Sequence, residues 1–171
     1  MGRSWSEISH PFLRPAGRPG LSTILEGVLV IGEYPTPDDI PWLHAEHGVQ
    51  AVVSLQDDID LMYKSIDAPS LQRAYDKVSI EFHRFPVVDG DAEDLASLLG
   101  PILQTLHDCL SRNLLTYVHC NAGFNRAPTV AIGYLHAHRS MTLEEAHDFV
   151  KTRRPCAPYL SAIRRHLSGS E

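Results

Sequence analysis

The sequence contains few cysteines, and their spacing excludes two common uses of that residue. Three occur in 171 residues, Cys109, Cys120 and Cys156. An odd and widely spaced set is not a disulfide framework, and it includes no CxxC pair of the kind that binds zinc. We therefore predict reduced thiols, a cytoplasmic location, and neither a metal nor another cofactor.

Long apolar runs and an excess of positive charge are also missing. No run approaches the roughly 18 apolar residues of a membrane-spanning helix. The formal net charge is -6, and the acidic residues are scattered along the chain, which argues against a general nucleic-acid or anionic-membrane surface. We therefore expect a monomer with no nucleic-acid partner and no membrane partner.

The length and composition indicate one domain. With 43% hydrophobic residues in 171, the chain can bury one core and is short for two. The first segment has prolines, glycines and arginines but no apolar signal core. We predict an irregular arm over residues 1–22, for which a targeting remnant is the alternative, a folded domain over 23–168 and a tail over 169–171.

Short apolar runs alternate with helical patterns along this domain. The predicted strands cover 27–32, 50–55, 79–87 and 114–119, and the predicted helices cover 36–48, 70–78, 95–110, a segment from about 126, one that starts after 142, and one after 158. Such alternation predicts an α/β domain with a central, mainly parallel twisted sheet and helices on both faces.

The stretch VHCNAGFNRAPT, residues 118–129, joins the last predicted strand to a helix. Ligands bind at this edge of open α/β sheets. Small residues can turn backbone N–H groups inward there, and the helix N-terminus adds further donors and a positive dipole end. The stretch therefore predicts a phosphate cradle formed by Asn121, Ala122, Gly123, Phe124, Asn125 and Arg126.

Two side chains in this stretch suggest chemistry. The cradle would stabilise Cys120 as a thiolate, and the guanidinium of Arg126 could hold two phosphate oxygens at once. Together they predict phosphoryl transfer to sulfur, with His119 supporting the loop through hydrogen bonds. The alternative is an inert core thiol in a loop that only binds an anion.

A carboxylic acid is needed to protonate the leaving oxygen. The segment FPVVDGDAEDL supplies Asp89, Asp91 and Asp94 directly after a predicted strand. Asp89 is the predicted acid, because Asp91 is placed to cap the next helix and Asp94 to lie in its first turn. Asp91 remains the alternative acid. Once ionised, the same carboxylate could activate the water that hydrolyses phosphocysteine.

Other side chains are candidates for contact with the rest of the substrate. Tyr63, Phe124 and Tyr159 could stack on sugar rings, with ordinary core packing as the alternative. Arg84 and Lys64 could add positive charge at the pocket rim, and solvated charges are the alternative for both.

The motif HCNAGFNR, between a strand and a helix, resembles the cysteine-dependent protein tyrosine phosphatase superfamily, and the short separation of Asp89 from Cys120 resembles its dual-specificity branch. The segments VVSLQDD, DGDAEDL, YVHCNAGFNRAPT and RRPCAPYLSAIR are similar to plant glucan phosphatases, and HCNAG is laforin-like. The resemblance implies a dual-specificity phosphatase fold, a phosphocysteine intermediate, and a phosphorylated glucan or other phospho-carbohydrate as substrate.

Three positions depart from that pattern. Most members of the superfamily carry a Ser or Thr after the arginine, whose hydroxyl helps the thiolate leave, whereas Ala127 stands there in this chain, as in the plant glucan enzymes. Gly90 and Lys64 stand where the plant enzymes carry aromatic residues. A phosphoprotein phosphatase for Tyr and Ser/Thr is therefore an alternative, followed by a phosphoinositide or RNA 5′-phosphatase and by a non-catalytic module that binds a phospho-ligand.

Overall fold

A five-stranded sheet forms the centre of the molecule. The computed structural model describes residues 17–169, with strands β1 Leu21–Leu25, β2 Leu29–Gly32, β3 Ala51–Ser54, β4 Glu81–Arg84 and β5 Thr116–His119. The strand order is β1-β2-β5-β3-β4, in which β1 is antiparallel to β2 and all other pairs are parallel. The predicted mainly parallel sheet is confirmed.

Seven helices lie between residues 17 and 169. They are α1 Ile40–His47, α2 Asp58–Tyr63, α3 Ala68–Lys77, α4 Ala92–Ser111, α5 Arg126–His138, α6 Leu143–Arg153 and α7 Leu160–Ser168. None of these is long and apolar enough to cross a bilayer. They divide between the sheet faces, because alternate strand residues point to opposite sides. Val52 and Tyr117 pack in a core with residues of α1 and α3, while Val53 and Val118 pack in a larger core with residues of α4 to α7.

Several helix ends follow from local sequence as predicted. Asp91 caps α4 by accepting hydrogen bonds from two backbone N–H groups, and Thr142 caps α6 in a capping box with Glu145. The segment predicted as one helix over 36–48 begins as a 3₁₀ turn, Pro37–Asp39, and continues as α1. Pro41 lies in the first turn of α1, where its missing N–H costs no intrahelical hydrogen bond.

Two short elements escape prediction. Strand β1 begins at Leu21, so the last two residues of the predicted arm belong to the sheet; residues 1–16 of that arm and residues 170–171 of the tail lie outside the described range. Helix α2 has six residues, fewer than two turns, and is too short for helical periodicity to be visible. Strand β4 is shorter than the predicted 79–87, because Ser79 turns the chain with φ 55° before Glu81.

Candidate active site

Three loops meet at one edge of the sheet. Ser54, Arg84 and His119 are the last residues of three neighbouring parallel strands and are paired in register. The loops that follow them therefore start side by side. They lead to α2, to the predicted acid Asp89 and to the predicted nucleophile Cys120.

The guanidinium of Arg126 ties these three loops together. Its side chain is 1% exposed, and Nη1 donates to the backbone oxygens of Leu55 (3.1 Å) and Val87 (2.7 Å) and to Oδ2 of Asp60 (2.7 Å). These acceptors come from the loop after β3, the loop after β4 and helix α2. Since the group is planar, fixing Nη1 also fixes the direction of its other nitrogen atoms.

The opposite edge of this guanidinium, formed by Nε and Nη2, takes no part in these three contacts. Nε and Nη2 are buried and have no hydrogen-bond partner among the described residues, although Nη2 lies 3.3 Å from Oδ1 of Asp89 as an ion pair. Burial opposes the charge, but Cys120, Asp60 and Asp89 raise the pKa of Arg126 above its ordinary value. Two parallel N–H donors on a permanent cation fit two oxygens of a phosphate.

Asp60 is a site residue that the sequence did not reveal. Oδ2 of its carboxylate accepts hydrogen bonds from Nη1 of Arg126 and from the backbone N–H of Asp57. Oδ1 accepts a hydrogen bond from Nδ2 of Asn121 at 2.6 Å. Burial alone would raise the pKa of Asp60, but the hydrogen bonds and charge of Arg126, with Asn121, lower it below the ordinary value. The only sequence feature that could have indicated Asp60 is the acidic run QDDID after a buried strand, in which Asp57 and Asp60 have the spacing of a capping box.

The carbonyl groups of the loop from Cys120 to Asn125 all have hydrogen-bond partners. These peptide bonds are trans, so each N–H points away from the preceding carbonyl oxygen. Carbonyls held from outside the loop therefore turn the following N–H groups toward its inside, as a phosphate cradle requires. His119 Nδ1 donates to Cys120 O (3.1 Å), and the N–H of Tyr34 donates to Asn121 O (3.0 Å). Arg154 donates from Nη2 to Ala122 O (2.9 Å) and from Nε to Gly123 O (2.6 Å). The N–H of Ala157 donates to Phe124 O (2.9 Å), and the N–H of Thr129 donates to Asn125 O (3.1 Å).

Gly123 is the loop position that requires glycine for two reasons, its backbone conformation and the lack of space for a side chain. Its φ is +63°, and a Cβ there would lie 2.5 Å from the backbone of Gly32. The sequence-predicted role of a small residue in this turn therefore has a steric cause as well as a conformational one.

His119 lies fully buried behind the loop. Burial lowers the pKa of His119 to about 4, so the ring is neutral near pH 7. Because a carbonyl oxygen can only accept a hydrogen bond, the proton of the neutral ring lies on Nδ1, which donates a hydrogen bond to Cys120 O. This contact places His119 where it can orient the loop, and its support of catalysis stays a prediction.

The three acidic residues after β4 have different environments. Asp91 accepts from two N–H groups of α4, and Oδ2 of Asp94 accepts from the N–H of Val88 at 2.7 Å. Asp89 instead reaches Arg126, and its side chain is 53% exposed. Of the three, Asp89 is the carboxylate that faces the predicted phosphate site.

The two cations predicted at the pocket rim have partners within the protein, and their contact with the substrate stays a prediction. Arg84 donates to Gln56 O (3.0 Å) and to Oδ1 of Asp58 (2.7 Å), so it braces the loop after β3. Lys64 is not a solvated surface charge, because it is buried with its ammonium 5.4 Å from the ring centre of Tyr34. Burial lowers the pKa of Lys64 in spite of the carboxylates nearby.

The three aromatic candidates differ in burial and in their surroundings. Tyr159 is half-buried, and burial followed by the carboxylate of Asp89 raises its pKa, which places the phenol near the predicted acid. Phe124 is partly buried in the loop itself. Tyr63 is 57% exposed on α2.

Exposed apolar residues occur close in sequence to the groups that contact Arg126. Four of the five large hydrophobic residues that are exposed between positions 17 and 169 lie within three residues of Asp60 or directly after Val87: Ile59, Met62, Tyr63 and Val88. The first three belong to α2, and Val88 precedes Asp89. Exposed apolar residues beside a candidate site are candidates for contact with the substrate.

A second cluster of potential ligand atoms lies away from this site. One atom each of Glu81, His83 and Cys109 fall within 4.8 Å of one another. Arg112 binds both oxygens of Glu81, at 2.6 and 2.9 Å, and its hydrogen bonds lower the pKa of that carboxyl to about 2. The positive charge that pairs with Glu81 in this cluster is therefore the guanidinium of Arg112.

Comparisons with known proteins identify the family and the fold of the chain. Residues 31–166 match the family model described as dual specificity phosphatase, catalytic domain. The amyloplastic phosphoglucan phosphatase of Castanea sativa is 35% identical over 92% of this chain and 39% of its own length. A chloroplastic phosphoglucan phosphatase of Arabidopsis thaliana is 30% identical over 83% of this chain and 24% of its own. The chain thus spans less than half of each of these relatives. A crystal structure of kinase-associated phosphatase, with its catalytic-site cysteine substituted by serine, has a TM-score of 0.74 at 20% identity, covering 91% of this chain and 97% of that one.

Proposed function

The chain belongs to the dual-specificity phosphatase family, and we propose that it hydrolyses phosphomonoesters through a phosphocysteine intermediate. The observation that carries this proposal is the guanidinium of Arg126, which is anchored at Nη1, keeps two buried donors without a partner among the described residues, and interacts electrostatically with Cys120. Such a preorganised cation stabilises the negative charge of a transferring phosphoryl group.

The proposed reaction has two steps. First, the Cys120 thiolate attacks phosphorus and the bond to the leaving oxygen breaks, while Asp89 gives that oxygen a proton. Second, the Asp89 carboxylate takes a proton from water, which attacks the phosphocysteine and releases phosphate and the thiolate. Arg126 and the loop N–H groups hold the phosphoryl oxygens in both steps.

For the substrate we propose phosphorylated glucan or another phospho-carbohydrate. The support is the 35% and 30% identity to two proteins that are named phosphoglucan phosphatases. The exposed ring of Tyr63, on the same helix as Asp60, is suited to stack on a sugar. The cytoplasmic location stays a prediction, and both of these relatives are named as plastid proteins.

A phosphoprotein phosphatase is the second candidate, and its support is the aliphatic character of three exposed residues close in sequence to Asp60 and Asp89. These are Ile59, Met62 and Val88. Gly90 and Lys64 add no exposed aromatic surface, because Gly90 has no side chain and Lys64 is buried. Exposed aliphatic side chains suit the apolar side chains of a peptide, whereas the identity to named phosphoglucan phosphatases puts phosphoglucan first.

Phosphate release from phosphoglucan and from phosphopeptides, measured on one preparation, decides between these substrates. We expect kcat/KM to be at least about tenfold higher on phosphoglucan, with the Cys120→Ser protein as the blank for both. A higher value on phosphopeptides would select the second candidate. No release even from an activated aryl phosphate would leave a binding module as the explanation.

Replacing Asp89 by alanine should slow substrates with poor leaving groups far more than activated ones. We expect a loss of about 10²–10³-fold for an alkyl phosphate and a much smaller loss for a nitrophenyl phosphate, because only the poor leaving group needs the proton. The measurement is kcat across a series of leaving groups.

Asp91→Ala is the matched control two residues away. It removes the cap of α4, which costs about 1 kcal/mol of stability, but its effect on kcat should not depend on the leaving group. If the dependence appears in Asp91→Ala and is absent from Asp89→Ala, the assignment of the acid is wrong.

A further inference from the structure

We propose that Arg154 is a positioning residue of this reaction, which directs the N–H donors of the phosphate loop by holding two loop carbonyls from behind. The proposal rests on the proposed function, because it concerns the same loop. It gives a role to a buried arginine that never faces the phosphate side.

Arg154 reaches the loop from the end of α6. It follows the last residue of that helix with extended backbone angles, φ -148° and ψ 128°, and is 3% exposed. Nε donates to Gly123 O at 2.6 Å and Nη2 to Ala122 O at 2.9 Å, while Nη1 donates to Ser22 Oγ at 3.0 Å. One planar group thus ties two successive loop carbonyls to strand β1.

These two carbonyls determine the direction of two loop donors. In trans peptides the N–H of Gly123 is opposite Ala122 O, and the N–H of Phe124 is opposite Gly123 O. Holding both oxygens outward therefore holds both N–H groups inward. The left-handed conformation of Gly123, with φ +63°, brings its carbonyl into line for Nε. Successive inward N–H groups form an anion-binding concavity.

The charge of Arg154 is suited to the same task. Its three hydrogen-bond partners among residues 17–169 are neutral oxygens, so within this range the buried cation bonds to no carboxylate. A buried positive charge behind the loop favours negative charge in front of it, where the thiolate of Cys120 and a phosphate would lie. Lysine could not replace it fully, because an ammonium lacks the fork that spans two carbonyls.

The test compares Arg154→Met and Arg154→Lys with the native protein in aryl phosphatase assays and in orthovanadate titrations. Arg154→Met should lower kcat/KM and weaken the binding of vanadate, a transition-state mimic, by on the order of 10²-fold, the size of the loss in kcat when one oxyanion donor is removed. Arg154→Lys should recover part of both losses. A fall in kcat alone, with KM and vanadate binding unchanged, would overturn the proposal, since misdirected donors must weaken the binding of the phosphoryl group.

Two control variants separate positioning from general stability. Arg153→Met changes the preceding residue, which is exposed and stacks on the ring of Phe149 at 3.4 Å, and it should keep vanadate affinity within about twofold. Ser22→Ala removes the third bond of Arg154 but leaves both loop carbonyls held. A vanadate affinity that falls as far in Ser22→Ala as in Arg154→Met would overturn the proposal.

The outcome is separable from folding and from the proposed function. Thermal unfolding of each variant identifies a temperature at which it is folded. If Arg154→Met does not fold, Arg154→Lys provides the test: weaker vanadate binding than in the native protein supports the proposal, and unchanged binding overturns it. If the native protein bound vanadate but showed no phosphatase activity, the proposed function would fail while the vanadate comparison still tested Arg154. Unchanged vanadate binding in a folded Arg154→Met protein would refute the positioning role under either result.

Discussion

Replacing Cys120 by serine should abolish hydrolysis of an aryl phosphate while the protein still binds inorganic phosphate. The expected fall in kcat is on the order of 10⁴-fold or more, because the serine hydroxyl is a far weaker nucleophile without a base to activate it. Arg126 and the loop N–H groups are unaffected by the change, so the affinity for phosphate should persist. The measurements are steady-state turnover and a calorimetric titration with phosphate.

Cys109→Ser is the control for a thiol that is equally buried but lies far along α4. Cys109 and Cys120 are both buried free thiols, and Cys109 lies with Glu81 and Arg112 away from the three loops. Its replacement should leave kcat within about threefold, because it can affect only packing and the contacts with Glu81 and Arg112, away from the three loops. Undiminished turnover in Cys120→Ser would contradict the phosphocysteine mechanism.

The parts of the site that the sequence predicted are those contained in one segment. The loop from Cys120 to Arg126 lies between one strand and one helix, so its small residues and its position at the sheet edge are visible locally. The distinct place of Asp89 could be inferred in the same way, since its neighbour Asp91 is recognisable as a helix cap.

The parts that the sequence did not predict are contacts between distant segments. Asp60 bonds to an arginine 66 residues later, and Arg154 bonds to loop carbonyls 31 and 32 residues earlier. Both contacts depend on the strand order, which places β3 beside β5 and α6 against the back of the loop. Local periodicity carries no information on that order. The burial of Lys64 was missed for the same reason, because Tyr34 comes from another part of the chain.

Replacing Asp60 should cost more stability than replacing any other acidic residue near the site. Its side chain is 7% exposed and pairs with a guanidinium that is 1% exposed. Removing one partner of a buried pair typically costs about 3–5 kcal/mol, because the other charge is left without compensation. We therefore expect Asp60→Ala to lower the free energy of unfolding by about that amount and Asp60→Asn by less, since an amide still accepts one hydrogen bond.

The matched control lies on the same helix. Asp58 also pairs with an arginine, at 2.7 Å, but its side chain is 90% exposed. An exposed pair contributes about 0–1 kcal/mol, so Asp58→Asn should change the free energy of unfolding little. Urea unfolding of the three variants and the native protein measures the difference, and equal effects at the two positions would show that the pair with Arg126 is not special.

The pH dependence distinguishes the charge of Asp60 from its shape. Because its pKa is lower in the folded protein than the unfolded value of about 3.9, its stabilising effect is fully present above that value and is lost as the pH falls through the folded pKa. The stability gap between native protein and Asp60→Asn should therefore be constant near neutral pH and narrow in acid. A gap of the same size at all pH values would mean that the carboxylate acts only through packing. In that case Nη1 of Arg126 would be held by the carbonyls of Leu55 and Val87, and Asp60→Asn should retain native kcat/KM.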